Sequence, residues 1–389
     1  MTISLAGSPD QTLDEQPLKG LELRSCISRS GELNLSLAEL NIAPPENDEV
    51  VVRIEAAPLN PSDIGLLLGP ADLSSVTVAG EGRDRTLTAK IPAEAMEGLA
   101  LRLDASLPVG NEGAGVVVRA GPGAADLLGK TVSVAGGGMY TQYRRLPKGQ
   151  CMVLTEGVSP AEGAAAFINP LTALGMVETM RRDGHEALVH TAAASNLGRM
   201  LVKICQKEQI PLVNVVRSDS QLTALKEIGA KYVLNSESPS FDADLTDALA
   251  ETKATLCFDA LTGGPLAGRI LLAMEKALAR GLPAYSRYGS ATHKQVYMYG
   301  SLDPRPIEVP RVGMAWGIGG WLLFHFLGKI GPQATQSLRD RVNAELRTTF
   351  HSEFKAEISL SDVLSLEMLR EYTKRGTGSK LLINPSRDV

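Results

Sequence analysis

The sequence predicts an α/β protein in which a doubly wound parallel sheet accompanies a β-rich domain. Three observations carry this reading. From Glu186 onward, short apolar runs alternate with amphipathic segments, the rhythm of parallel strands joined by helical crossovers. Ahead of that region, apolar and polar residues alternate with period two, as they do in antiparallel strands. A chain of 389 residues also has length for about two domains.

The stretch Glu186–Arg217 shows the alternation most clearly. Leu188-Val189-His190 ends an apolar run, and Ala192-Ala193-Ala194-Ser195-Asn196-Leu197-Gly198 is a turn of small residues. A helix follows, with Leu197, Leu201, Ile204 and Cys205 on one face and Arg199, Lys203 and Lys207 elsewhere. Pro211–Val216 is the second strand. Small residues at a helix start let a diphosphate approach free N–H groups and the positive end of the helix dipole. The usual fingerprint uses three glycines, of which only Gly198 remains here. An ordinary strand-to-helix turn fits the same residues. His190 reads as a core histidine.

Composition narrows the function classes. A net charge of -5 gives no reason to expect nucleic acid or an anionic membrane as partner. Cys26, Cys151, Cys205 and Cys257 are scattered without metal or redox spacing, which fits buried thiols in a reducing cytoplasm. The first residues carry no basic region and no apolar core of a secretion signal. The apolar stretch Val312–Leu327 is broken by glycines and His325, too short for a membrane span.

The remaining elements follow in chain order. Leu33–Leu37 and Glu49–Ala56 alternate as strands. Asn60-Pro61-Ser62-Asp63 turns into a short helix over Ile64–Leu68, for which Asp63 is either an N-cap or a cleft residue. Gly69–Pro108 is too long for a bare loop and has strand-like alternation at Leu87–Ile91. Strands start near Gly113 and Gly129 and after Gly136-Gly137-Gly138. Ser159–Ala166 reads as a helix with Ser159 as cap and Pro160 in its first turn, and another helix ends near Gly184. After Arg217, helices over Ser220–Ile228, Phe241–Thr252 and Gly264–Ala279 alternate with strands at Tyr232–Asn235, Thr255–Leu261 and Val296–Tyr299. The tail offers a helix (Gln333–Arg347), a strand near Ala356–Ile358, a helix (Ser361–Lys374) capped by Ser361-Asp362, and a last strand from Lys380.

In this order, several motifs resemble the medium-chain dehydrogenase/reductase superfamily, and within it the zinc-independent quinone oxidoreductase and enoyl reductase branch. They are Asn60-Pro61-Ser62-Asp63, Gly110–Gly115, Gly138–Tyr143, Asn169–Ala173, the loop Ala192–Gly198, Leu225–Ala230 and Gly378-Ser379-Lys380. The resemblance implies a GroES-like catalytic domain over residues 1–165 and 320–389 and a Rossmann nucleotide-binding domain over 166–319. Zinc members carry Cys near Pro61-Ser62 and a Gly-His-Glu where this chain has Gly110-Asn111-Glu112. Asn is a poor zinc ligand, so no metal is expected.

The same resemblance implies the site. Asn60 would face the cleft, Thr172 would lie near the nicotinamide, and Asp63 and Tyr140 are further catalytic candidates, although Tyr140 also reads as a half-buried core residue. Thr172, Ala194, Ser195, Asn196, Leu197, Gly198, Arg217, Ser218, Tyr285 and Lys380 are the expected cofactor contacts, with Arg287, Tyr288 and His293 as further candidates. Arg217 ends the second strand where NAD enzymes carry an acid, and a guanidinium suits a 2′-phosphate, so NADPH is expected over NADH. The Lys and Tyr that many quinone reductases aim at that phosphate align with Gln221 and Ser236. Enoyl reductases of the branch place a tyrosine soon after the Asn-Pro-Ser-Asp turn. No tyrosine precedes Tyr140 here, which favours a quinone or simple enone as acceptor. The expected protein is a cytoplasmic homodimer acting on a small molecule. The alternatives are a 2-enoyl thioester reductase and a non-catalytic NADPH-binding protein.

Overall fold

A computed structural model describes residues 16–374 and 380–388. The Gly378-Ser379 part of the last motif lies outside the described residues. The chain divides into two compact units: one runs to Phe167 and resumes at Glu353, and the other takes Ile168–Ser352.

The first unit is built from alternating strands. Leu18–Ile27 and Glu32–Ile42 form an antiparallel pair with Leu35 facing Ser25 and Asn34 facing Cys26. Leu33 and Leu35 are fully buried while Asn34 and Ser36 are half-buried, the period-two pattern made physical. The long segment after Gly69 extends this sheet with strands Asp72–Ala79 and Thr86–Lys90. It closes with short 3-10 turns, including Glu97–Arg102. A second sheet centres on Glu49–Pro58, which pairs with Glu112–Ala120, Tyr143–Pro147 and Lys380–Ile383. Leu23, Leu35, Val52, Ile54, Leu87 and Val134 fill the core.

Two helices differ from expectation. Pro160–Gly163 is one turn, shorter than Ser159–Ala166, although Ser159 caps it by accepting from the Glu162 N–H. The tail helix is two helices, Leu360–Val363 and Leu366–Tyr372, with Ser359 and Ser365 as caps in place of Ser361. Ser365 has extended backbone and takes the Met368 N–H, which ends one helix and starts the next.

The second unit contains a six-stranded parallel sheet. Its order is Tyr232–Asn235, Leu212–Val216, Leu188–His190, Leu256–Asp259, Lys294–Met298, Trp316–Gly320. Counted along the chain this is 3-2-1-4-5-6, with the order reversing beside Leu188–His190. Val189, Val213, Val215, Leu249, Cys257 and Ile270 lie in its core. In the helix Asn196–Lys207 the residues expected to face inward, Leu197, Leu201, Ile204 and Cys205, are all buried. The apolar stretch around Val312–Leu327 becomes the edge strand Trp316–Gly320 and the helix Leu323–Ile330, which the periodicity had not resolved. The helices Leu323–Ile330 and Pro332–Ala344 belong to this unit, so its end lies at Ser352, past the expected boundary at 319. No described helix is long and apolar enough to cross a membrane.

Close strand packing fixes one glycine. A Cβ on Gly115 would lie 1.8 Å from the Arg53 carbonyl oxygen, where only the strands themselves can give way. Gly115→Ala is therefore expected to destabilise the protein by about 2–3 kcal/mol, read as a lower urea midpoint of unfolding. An unchanged midpoint would show that the two strands separate without cost.

Candidate active site

The first unit gathers a polar cluster around one short helix, Pro61–Leu67. The preceding residue, Asn60, has extended backbone, and Pro61 supplies a preset φ for the first turn. The Asp63 carboxylate reaches back to accept the Asn60 N–H at 2.8 Å. Its other oxygen accepts the Asn111 N–H at 2.9 Å. The Tyr140 hydroxyl donates to Asp63 Oδ2 at 2.9 Å. Asp63 thus closes the helix start as the third residue of a capping box, with Asn60 as the cap, and lies inside a buried polar cluster.

Asn60 continues the network. Its Nδ2 donates to Glu112 Oε1 at 2.9 Å, and its Oδ1 accepts from the Lys380 ammonium. The second Glu112 oxygen accepts the Phe167 N–H at 3.1 Å. Asn111 Nδ2 donates to the Ser62 hydroxyl at 2.9 Å. Asn60, Asp63, Glu112 and Tyr140 are each no more than 2% exposed. Burial pushes the Asp63 carboxyl up to about 6, against the Asn60 and Tyr140 hydrogen bonds that favour its charged form. Burial also lowers the Lys380 ammonium, with Glu112 and Asp63 working the other way.

The cluster corrects one expectation. Tyr140 is not on a cleft wall: it is fully buried, and its phenol is raised well above its ordinary value by burial and then by Asp63. Lys380, expected at the cofactor, also donates to Asn60. Among the described residues no group of three or more His, Cys, Asp or Glu could hold a metal ion.

The second unit presents the helix start. Ala192 has φ +51, a left-handed conformation in which glycine is the usual residue. The loop therefore keeps the conformation of a glycine turn without the glycine. Ser195 caps the helix, its hydroxyl accepting the Gly198 N–H at 3.2 Å. Among the described residues the N–H groups of Asn196 and Leu197 have no protein acceptor, and the Asn196 side chain is turned to Ser352 at 2.9 Å. A Cβ on Gly198 would lie 2.1 Å from the Ala193 carbonyl oxygen, so this residue permits the close strand-to-helix packing. Ala194 is buried beside it. Arg217 is exposed at the end of the second strand, its backbone N–H held by Gln221 Oε1 at 3.1 Å, and Ser218 caps the next helix. Thr172 is buried in the first turns of the helix Ile168–Arg182.

Tyr285 does not join this group. Nucleotides bind at the carboxyl ends of parallel strands. The segment Tyr285–His293 precedes Lys294–Met298 and so lies at the opposite, amino end, with Tyr285 94% exposed. Arg287, Tyr288 and His293 share that location. At the carboxyl ends stand residues that sequence reading passed over. Thr191 donates to Asp259 Oδ1 at 2.6 Å, and Asp259 takes the N–H groups of Leu261 and Thr262. His190 is a core histidine as expected: its Nε2 is 2.7 Å from the Tyr299 hydroxyl, and burial lowers its pKa to about 3, so it is neutral.

A β-rich unit followed by a 3-2-1-4-5-6 parallel sheet is the architecture of the medium-chain dehydrogenase/reductases. No protein-family model matches the chain. By sequence it is 28% identical over 238 residues to a mitochondrial enoyl-[acyl-carrier-protein] reductase of Xenopus tropicalis, covering 58% of this chain and 59% of that protein. Across the curated relatives named as enoyl reductases, the match spans roughly half to three fifths of their own length. A solved structure from Mesorhizobium loti, provisionally named an NADPH:quinone reductase, has a TM-score of 0.70 at 23% identity, covering 95% of this chain and 99% of that one. The complex of Etr1p with NADP and crotonyl-CoA has a TM-score of 0.66 at 18% identity, covering 94% and 100%. The chain has the medium-chain dehydrogenase/reductase fold; its structural neighbours are named as quinone and enoyl reductases, and its curated sequence relatives as enoyl reductases and VAT-1 homologues.

The Asp63 shift makes a stability prediction. Between the ordinary value of 3.8 and about 6, the folded protein keeps a proton that the unfolded chain releases, so this group lowers stability as pH rises through that window. Asp63→Asn removes the dependence. The stability of the variant relative to the parent should rise by about 2.4 kcal/mol between about pH 4 and pH 7. Urea unfolding at the two pH values reads it, and a constant difference would mean that Asp63 titrates as it does in solvent.

Proposed function

We propose that this protein is a zinc-free, NADPH-dependent oxidoreductase that reduces a quinone or another α,β-unsaturated carbonyl. The observation that carries the reading is the helix start at Asn196 in a 3-2-1-4-5-6 sheet, with Arg217 at the end of the neighbouring strand. NADPH, when bound, supplies the hydride. The amides of Asn196 and Leu197 would hold the diphosphate at the positive end of the helix, with Ala194, Ser195 and Gly198 shaping the turn. Arg217, with Ser218 beside it, would hold the 2′-phosphate, and Thr172 would lie near the nicotinamide. Asp63 stores a proton near neutral pH. Tyr140 and Asn60 orient its carboxyl, and Lys380 orients Asn60. With Asn at 111 and no Cys or His near 61 and 62, the chain offers no ligand set for a metal there, and this buried network would support the first unit's side of the site from behind.

A 2-enoyl thioester reductase is the second reading, supported by the names of the sequence relatives and of the Etr1p complex. Oxidation of NADPH with a panel of quinones, enones and enoyl thioesters tests both. Turnover is expected on quinones or simple enones. Turnover confined to enoyl thioesters would select the second reading, and NADPH binding with no turnover would make the chain a binding protein. In the same assay, Arg217→Ala should raise the KM for NADPH by about tenfold or more and leave that for NADH nearly unchanged.

A cytoplasmic homodimer completes the proposal. The strand Trp316–Gly320 ends its sheet, and exposed Met314, Leu322 and Phe324 flank it. A sheet edge bordered by apolar side chains favours pairing with a second copy. Sedimentation should show a dimer that Leu322→Asp weakens; a monomer in both cases would refute it.

A further inference from the structure

The helix Pro61–Leu67 carries the polar cluster at its amino end, and its carboxyl end is held from outside. Its last carbonyls go to side chains from two other segments. The Arg102 guanidinium donates from Nη1 to the Gly65 carbonyl at 3.4 Å and from Nη2 to the Leu66 carbonyl. The Ser25 hydroxyl donates to the Leu67 carbonyl at 2.9 Å and accepts from Arg102 Nη2 at 2.7 Å. Ser25 is fully buried. Arg102 ends the 3-10 turn Glu97–Arg102 inside the inserted segment, beside a fully exposed Leu101. The site for a Cβ on Gly69, which has φ +56, is 3.2 Å from Arg102 Nη1, so the guanidinium passes across the turn that ends the helix.

We propose that Arg102 is a positioning residue for the candidate active site: by capping the carboxyl end of the helix Pro61–Leu67, it fixes where the amino end places Asn60 and Asp63. This rests on the reductase reading for its catalytic consequence, though not for its structural one. The helix is only seven residues long, about two turns, and has too few internal hydrogen bonds to hold itself. The Gly65 carbonyl also accepts the Leu68 and Gly69 N–H groups, so the side-chain donors matter most at Leu66 and Leu67, where a cation also complements the negative end of the dipole. The insertion, which decorates the sheet edge, thereby sets the geometry of a cluster at the far end of the helix. A displaced helix would take the Asp63 carboxylate away from the Asn111 N–H, which belongs to another element.

The test uses the full-length chain with Arg102→Met, which keeps the apolar stem, and Arg102→Lys, which restores a charge and donor. The Asp63 carboxyl is followed by carbon NMR in aspartate-labelled protein and assigned with Asp63→Asn. Glu112, Tyr140 and Lys380 face Asp63 from other elements, Tyr372 lies behind Tyr140, and Cys26 lies beside Arg102; all stay the same. Arg102→Met should move the Asp63 midpoint upward, because an amide leaves the carboxylate, and Arg102→Lys should return part of the shift. With the best acceptor, kcat should fall by about tenfold in Arg102→Met, with Kd for NADPH within about twofold of the parent. A midpoint equal to the parent's, whatever the loss in Tm, overturns the proposal and leaves Arg102 an anchor for the insertion. If Arg102→Met does not fold, Ser25→Ala removes the shared hydroxyl more gently, and the same upward shift or its absence decides. The titration needs no turnover. A protein inactive on every acceptor would therefore remove the reductase reading while this inference stood or fell on the NMR result.

Discussion

One buried carboxylate holds the first unit's polar cluster together. Asp63 accepts hydrogen bonds from the Asn60 N–H, the Asn111 N–H and the Tyr140 hydroxyl, three groups far apart in the chain. Each belongs to a different turn, and each turn brings in another polar residue: Asn60 reaches Glu112 and Lys380, and Asn111 reaches Ser62. A charge so buried is costly unless donors surround it, and three donors lower that cost without abolishing it. The remainder shows in a carboxyl raised to about 6, able to hold or release a proton near neutrality.

The second unit shapes the turn before the helix Asn196–Lys207 by an unusual route. Three glycines normally supply a tight turn, a close backbone approach and close helix packing. Here Gly198 does the last, Ala192 takes the left-handed turn at a steric cost, and Ser195 caps the helix. A left-handed alanine costs about 1–2 kcal/mol, which the surrounding sheet must offset. Such strain is kept where a conformation is required, and a tight strand-to-helix turn at the carboxyl end of a parallel sheet is such a place.

Much of the architecture was legible before any coordinates. The helix Phe241–Thr252 and the strands Tyr232–Asn235 and Lys380–Ile383 match their expected bounds, because periodic burial against one neighbour leaves a direct trace in the sequence. The strand Trp316–Gly320 left none. Its three glycines carry no pattern, and it exists because the edge of Lys294–Met298 offers it hydrogen bonds. The tail helix broke at Ser365 for a similar reason, since one local cap outweighed a continuous apolar rhythm.

The sequence by itself determined the order of elements, the alternation that makes a parallel sheet, and the residue types at Asn60, Asn111 and Arg217 that bear on metal and cofactor. Those follow from local periodicity and from the chemistry of single side chains, which need no partner to be read. Only the tertiary structure decided that Tyr140 is interior, that Lys380 serves Asn60, that Tyr285 stands at the wrong end of the strands, and that Arg102 closes the helix bearing Asp63. Each of these depends on a contact between residues tens to hundreds of positions apart, or on which end of a strand a loop adjoins, and no local pattern encodes such a meeting.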